Sequence, residues 1–183
     1  MPDNFKIGGI PLRIIRDDIT IIDTECFVFY ARPNLKLGSG FGTAISVRGG
    51  PSIQAELDIK GPLKVTEVVT TAAGNLKARA IIHAVGPAFQ EENLEEKLYQ
   101  TVLNVLREAD RNGFKRLAFP AMGVGFYGIP LALSAQTTLR AISDYVQYNH
   151  TSLEELTISV LDTRDLAPFR SFFELTTAES RRH

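Results

Sequence analysis

Short apolar runs alternate with longer helix-forming segments along this chain, and no other sequence feature constrains its fold as strongly. Several runs are rich in β-branched residues and apolar on both faces, which is typical of strands covered by helices on both sides. The strand candidates are FKIGG and LRIIR near the start, CFVFYA (26–31), VTEVVTT (65–71), RAIIHAV (79–85), RLAFP (116–120) and LTISVLD (156–162). The pattern therefore predicts an α/β fold in which a sheet lies between helical layers.

Helix candidates fill the gaps between these runs. The segment 93–113 repeats apolar residues at three- and four-residue steps, begins at a good cap in Asn93 and stops at Gly113. The others span 41–50, resuming at 52 after a Gly-Gly-Pro interruption, 130–148 and about 166–177. Because the first two strand candidates are adjacent, they predict an antiparallel edge. The expected architecture is a three-layer α/β/α sandwich with a mixed, mostly parallel central sheet.

Length and composition bound the class of protein and its partners. With 183 residues, 44% of them hydrophobic and 22% charged, the chain is long enough for one sizeable core and is not largely disordered. We expect a single domain over 1–183, with its core at about 12–173 and a polar C-terminal tail at 178–183. The net charge of −1 gives no overall field that attracts nucleic acid, so general nucleic-acid binding is not expected.

The sequence offers little for membrane, redox or metal chemistry. No apolar run approaches the ~18–20 residues that span a bilayer, and the start lacks the apolar core of a signal peptide, so we expect a cytoplasmic protein. The single cysteine, Cys26, lies in an apolar run and is interpreted as a buried structural thiol. His83 lies inside an apolar strand and is interpreted as structural. No cluster of Cys, His and carboxylates has metal-ligand spacing, and we predict neither a metal nor a cofactor.

Two glycine-rich loops each follow a strand candidate and precede a helix candidate. The first is GSGFG at 38–42 and the second is GVGFYG at 123–128. Glycines let backbone N–H groups converge, and a helix start adds a partial positive charge, so two such loops facing each other suit a diphosphate. Ordinary turn chemistry is the alternative for each loop taken alone. A Gly-Lys-Ser/Thr stretch is missing, which argues against an ATPase or GTPase.

Five stretches of the sequence resemble signature stretches of the macro domain, the ADP-ribose-binding module. They are RDDIT (16–20), the first glycine loop with the residues after it, AIIHAVGP (80–87), PAMGVGFYGIP (120–130) and SVLD, which ends at 162. They occur in the family's order and cover the chain from about 12 to 173. The resemblance implies the macro domain fold and a partner that is ADP-ribose or an ADP-ribosylated macromolecule.

The resemblance also implies roles for particular positions. Asp18 would accept a hydrogen bond from the adenine amino group, and Ile19 would donate a backbone N–H; capping of a short helix at 19–23 is a compatible interpretation of Asp18. Phe169 is either an aromatic neighbour of the adenine or, as we favour, a helix-core residue. The other implied ligand-binding positions are Gly38, Ser39, Gly40 and Phe41 in the first loop, Gly123, Val124, Gly125, Phe126 and Tyr127 in the second, and Asp162 near the adenine.

The sequence departs from the hydrolytic members of the family before the first loop. Where they carry Asn-Ala-Ala-Asn, this chain has FYAR at 29–32, and Gly42 and Thr43 stand where some branches place an acidic residue. We therefore expect binding with weak or no hydrolysis. Arg32 is either a solvated side chain or a bidentate partner for a phosphate or carboxylate.

The sequence leaves two other functions open. The first is an ADP-ribosyl hydrolase or an ADP-ribose 1″-phosphate phosphatase with an atypical site, for which the catalytic candidates are Arg32, Asn34 and Tyr127. The second is a protein-interaction module without a nucleotide ligand.

Overall fold

A seven-stranded sheet forms the centre of the protein in the computed structural model, which describes residues 3–38 and 40–180. The strands are β1 (Asp3–Ile7), β2 (Ile10–Arg16), β3 (Cys26–Tyr30), β4 (Val68–Ala72), β5 (Ala80–Ala84), β6 (Arg116–Phe119) and β7 (Glu155–Val160). The helices are α1 (Phe41–Gly49), α2 (Ser52–Lys60), α3 (Leu94–Arg111), α4 (Leu131–Tyr148) and α5 (Leu166–Ser180), with a 3₁₀ turn at Thr163–Asp165.

The sheet is mixed and mostly parallel, as predicted. Its strand order is β1-β2-β7-β6-β3-β5-β4. The pairings from β2 through β5 are parallel, whereas β1 and β4 pair antiparallel to their neighbours at the two edges. The carboxyl ends of β2, β7, β6 and β3 therefore meet at one edge of the sheet, where loops lead into helices.

Helices cover both faces of the sheet, which confirms the three-layer sandwich. Residues of α3, α4 and α5 pack on one face, among them the fully buried Leu98, Leu139 and Phe169. Residues of α1 and α2, such as Ile45 and Leu57, pack on the other face. Phe169 thus has the core role that we favoured for it. Cys26 is buried as expected, and burial raises the pKa of its thiol.

Three local predictions are wrong. Residues 19–23 form turns and bends rather than a short helix, because the Asp18 side chain bonds the Thr20 N–H and the residues there are mostly β-branched. The strand expected from 65 begins at Val68, since Thr66 has a φ of 83°, which strand geometry does not allow. Helix α5, which was predicted to end at about 177, continues to Ser180.

Candidate functional site

A cleft of about 450 Å³ lies at the carboxyl edge of the parallel strands, a volume that suits a small-molecule ligand. Four connections build its walls, following β2, β3, β6 and β7, together with the first turns of α1. The lining residues are Ile19, Thr20, Phe27 to Tyr30, Arg32, Lys36, Gly40, Phe41, Ile45, Pro120, Ala121, Gly123 to Tyr127, Ser159 to Leu161 and Asp165. The two glycine-rich loops predicted from the sequence thus lie on one cleft.

The first loop leads directly into α1. Gly40 has a φ of 56°, which favours glycine, and it accepts backbone hydrogen bonds from Thr43 and Ala44 as the helix begins. A Cβ atom at Gly42 would lie 3.0 Å from the backbone of Leu37, so the chain passes too close for a side chain there. Helix geometry leaves the first two amides of α1, those of Phe41 and Gly42, as donors for a ligand at this end. Gly38 is exposed and lies off the cleft wall, and Ser39 lies outside the described residues.

The second loop is a compact turn between β6 and α4. Gly123, Gly125 and Gly128 have φ values of 74°, 93° and 74°, all in the left-handed region that favours glycine. Backbone hydrogen bonds close the turn, from Gly128 to Gly125 at 3.0 Å and from Ile129 to Gly123 at 3.1 Å. These bonds fix the backbone of residues 123–127 along the cleft wall.

Asp18 lies just behind one end of the cleft and is held by several donors. Its carboxylate accepts hydrogen bonds from the N–H of Thr20 at 2.9 Å and from the hydroxyl of Thr20 at 2.7 Å. The second carboxylate oxygen forms an ion pair with Arg48, from the last turn of α1. Burial raises the pKa of Asp18, but the Arg48 and Thr20 hydrogen bonds outweigh burial and leave that pKa below its ordinary value. Ile19 and Thr20, rather than Asp18, form the lining at this end.

A cluster of aromatic and cationic side chains lies at the opposite end of the cleft. The hydroxyl of Tyr30 donates to the carbonyl of Pro87 at 2.5 Å, and the Tyr30 ring lies 4.8 Å from the Tyr127 ring. The Arg32 guanidinium lies 5.3 Å above the ring of Phe126 and forms a hydrogen bond with Tyr127. Burial raises the pKa of both tyrosines, although Arg32 opposes the effect at Tyr127. Both phenols are therefore neutral at ordinary pH.

Two predicted site residues have local partners and lie off the cleft lining. The Asp162 carboxylate caps the 3₁₀ turn by accepting bonds from the backbone N–H and the guanidinium of Arg164, which lower its pKa to about 2. The Asn34 side chain accepts a hydrogen bond from the backbone of Lys36 at 2.9 Å. Their proposed roles in binding and catalysis stay predictions.

His83 is enclosed in the sheet, as the sequence interpretation proposed. Its side chain is fully buried and its Nε2 atom lies 2.9 Å from the hydroxyl of Thr71 on β4. Burial lowers the pKa of His83 to about 3, so the imidazole is neutral.

Sequence reasoning missed several residues of the site. Arg48 forms an ion pair with Asp18. Tyr30 lines the cleft next to the Tyr127 ring. Leu161 and Asp165 line the cleft where Asp162 was expected. Leu161 is the direct neighbour of a predicted residue, so the end of β7 was a usable signal. No local pattern shows the partners of Arg48 and Tyr30, because those partners lie far away in sequence.

Neither a membrane span nor a metal cluster is found among residues 3–38 and 40–180. No helix in these ranges is long and apolar enough to cross a bilayer. No group of three or more His, Cys, Asp and Glu side chains in the same ranges is placed to hold a metal ion.

A family model and individual relatives match this sequence. A family model described as Macro domain matches residues 31–138. An uncharacterized protein of Sulfurisphaera tokodaii is 34% identical over 175 residues, 93% of this chain and 94% of the relative. A protein of Escherichia fergusonii named O-acetyl-ADP-ribose deacetylase is 36% identical over 141 residues, 74% of this chain and 80% of the relative.

Solved structures support the fold. The Oceanobacillus iheyensis macrodomain with ADP superposes with a TM-score of 0.89 at 24% identity, covering 98% of both chains. The Trypanosoma brucei macrodomain in complex with ADP-ribose superposes with a TM-score of 0.81 at 21% identity, covering 87% of this chain and 68% of the other. At these identities the similarity establishes the architecture alone.

Proposed function

Because the chain belongs to the macro domain family, we propose that it binds ADP-ribose, or a closely related ADP-ribose derivative, with weak or no hydrolysis. The observation that carries the proposal is that residues of both glycine loops line one cleft. Backbone amides supply affinity for a diphosphate whatever the neighbouring side chains are, so the missing asparagines do not remove this part of the site.

The two ends of the cleft suggest how the ligand lies. The end that follows β2 and β7 is apolar, with Ile19, Val160 and Leu161, which suits a base, and Asp18 lies close by as an acceptor for an amino group. The glycine loops over β6 and β3 would then hold the diphosphate. The second ribose would reach the end where Tyr127 and Arg32 meet.

Weak or absent hydrolysis is proposed because the second-ribose end lacks a good base. Among the described lining residues, the one carboxylate belongs to Asp165, which follows β7 at the opposite end. Tyr30 and Tyr127 are neutral phenols with raised pKa values. Water attack at an anomeric carbon needs a group that positions the water and accepts its proton.

A hydrolytic activity is the second candidate function. Arg32 is the observation that favours it, since a guanidinium on the cleft wall can stabilise negative charge on a departing or bound phosphate or carboxylate. A relative that is 36% identical to this chain over 141 residues is named O-acetyl-ADP-ribose deacetylase. Release of product from an ADP-ribose derivative, lost in Arg32→Ala, would support this function over simple binding.

Calorimetry with ADP-ribose tests the main proposal. We expect measurable binding by the wild type, a loss of about 10-fold or more in Asp18→Ala, and little change in Asp23→Ala, whose carboxylate is 73% exposed. Absence of heat and of any thermal shift at millimolar ADP-ribose would rule the proposal out and favour a protein-interaction module. A cytoplasmic location and an ADP-ribosylated macromolecule as partner stay predictions.

A further inference from the structure

Side chains from the two glycine-loop connections touch each other across one end of the cleft. Arg32 belongs to the connection after β3, and Phe126 and Tyr127 belong to the connection after β6. The Arg32 guanidinium lies 5.3 Å from the centroid of the Phe126 ring. It also forms a side-chain hydrogen bond with Tyr127. These contacts join the two walls that would hold a diphosphate between them.

The position of this contact follows from the strand order. The sheet runs β2, β7, β6, β3, β5, so the connections after β2 and β7 form one end of the cleft and those after β6 and β3 form the other. Tyr30 at the end of β3 anchors the second end through its bond to Pro87, which follows β5. The contact of Arg32 with Phe126 and Tyr127 therefore lies at the end farthest from Ile19 and Leu161.

Phe126 covers this end from the solvent side. Phe126 is 80% exposed, so this large apolar side chain is not held in place by burial in the core. The contacts that hold it are the Arg32 guanidinium on its face and the Tyr127 ring at 5.2 Å, edge-on. Phe126 thus contributes to a wall rather than to the packed interior.

We propose that the Arg32–Phe126 contact makes the cleft selective for free ADP-ribose nucleotides over ADP-ribose attached to a macromolecule. The inference rests on the proposed function and extends it to the class of ligand. A macromolecule joined at the anomeric carbon of the second ribose must leave the cleft at the end that this contact closes. A conjugate can bind only when the contact opens, whereas a free nucleotide fits behind it.

Arg32 provides N–H donors at the end of the cleft where the unattached second ribose of a free nucleotide would lie. A guanidinium presents its N–H donors in one plane, so stacking on Phe126 occupies its face and directs its edge toward acceptors. Free ribose hydroxyls are such acceptors, and a terminal phosphate is a stronger one. An apolar or bulky attachment gives no equivalent partner.

Competition between two ligands of the same nucleotide tests the inference. The probes are free ADP-ribose and a synthetic peptide that carries one ADP-ribose through a stable bond at the anomeric carbon, with the bare peptide as a blank. Because an exposed cation–π contact contributes roughly 2- to 5-fold to an equilibrium and the Tyr127 bond adds to it, we expect the wild type to prefer free ADP-ribose by at least about 5-fold. Phe126→Ala and Arg32→Ala should reduce that ratio to about 2 or less.

A matched control distinguishes loss of the Arg32–Phe126 contact from the general effect of removing an exposed aromatic ring. Tyr148 on α4 is 76% exposed and lies outside the cleft lining, so Tyr148→Ala should keep the wild-type ratio. Equal affinity of the wild type for both probes, or an unchanged ratio in Phe126→Ala, would overturn the inference while leaving ADP-ribose binding intact. Failure of the wild type to bind either probe would instead overturn the proposed function and the inference with it.

Discussion

Asp18 and Arg48 form an ion pair beside the base end of the cleft, so the carboxylate expected to receive an amino group already has a cationic partner. Arg48 comes from the last turn of α1, whose first turn contributes Gly40 and Phe41 to the same cleft. One helix therefore touches both the predicted diphosphate site and the predicted base acceptor.

Removal of Arg48 should make ligand affinity more sensitive to acid. The folded-state pKa of Asp18 lies below its ordinary value of 3.8, so the carboxylate stays ionised until the pH falls through that lowered pKa. Wild-type affinity for ADP-ribose should therefore be flat from pH 7 down to about 4. In Arg48→Ala burial still raises the pKa of Asp18 without the opposing cation, so the affinity should begin to fall at a higher pH.

Calorimetry between pH 4 and 6 measures this onset. Arg79→Ala is the control, because Arg79 is 77% exposed and pairs with Glu25 away from the cleft. An identical pH profile for Arg48→Ala and the wild type would contradict a role for the ion pair in holding Asp18 ionised.

Burial of His83 should make the protein less stable as the pH falls from about 6.5 toward 3. Its pKa drops from 6.5 to about 3 on folding, so in this range the unfolded chain binds a proton that the folded chain does not. The free energy of unfolding should therefore decrease with falling pH, by up to about 1.4 kcal/mol per unit from this group. Urea unfolding at several pH values measures the slope.

The slope should be shallower in His83→Gln, whatever the absolute stability of that variant. His150→Gln, a substitution of the same type at an exposed position in the connection after α4, serves as the control. The assignment fails if the wild type and His83→Gln have parallel profiles.

Two glycines of the second loop should differ in their tolerance of alanine. Gly123 and Gly125 have similar positive φ values, so each Ala variant loses about 1 kcal/mol to backbone strain. A Cβ at Gly125 meets nothing within 4 Å, whereas one at Gly123 would lie 2.3 Å from Ile129 and 3.2 Å from Tyr30. Gly123→Ala should therefore cost about 1–3 kcal/mol more than Gly125→Ala.

Urea unfolding of the two variants tests this difference, and each variant is the other's control for backbone strain. Equal decreases in the free energy of unfolding would contradict the prediction, because they would mean that Ile129 and the loop shift to make room for the Cβ atom at no energetic cost. Thr43→Ala, on the exposed face of α1, should change the stability by less than about 0.5 kcal/mol and sets the precision of the comparison.

Much of the architecture was predictable because it depends on periodicity along the chain. The two long amphipathic helices α3 and α4 begin and end within one or two residues of their predicted bounds, where Gly113 and Pro130 punctuate the pattern. The strand near 65 and the helix at 19–23 were predicted wrongly, since a positive φ at Thr66 and the side-chain bonds of Asp18 override local preference.

The two glycine loops and their place after parallel strands were predictable from the residues alone, because strand–loop–helix order brings such loops to one edge of a sheet. The side chains around these loops depend on long-range packing. Asp18 pairs with Arg48, Tyr30 bonds Pro87, and Arg32 stacks on Phe126, each across a long stretch of chain. The packing of α1 on the sheet and the lateral order of the strands create these pairs, and neither leaves a periodic trace in the sequence.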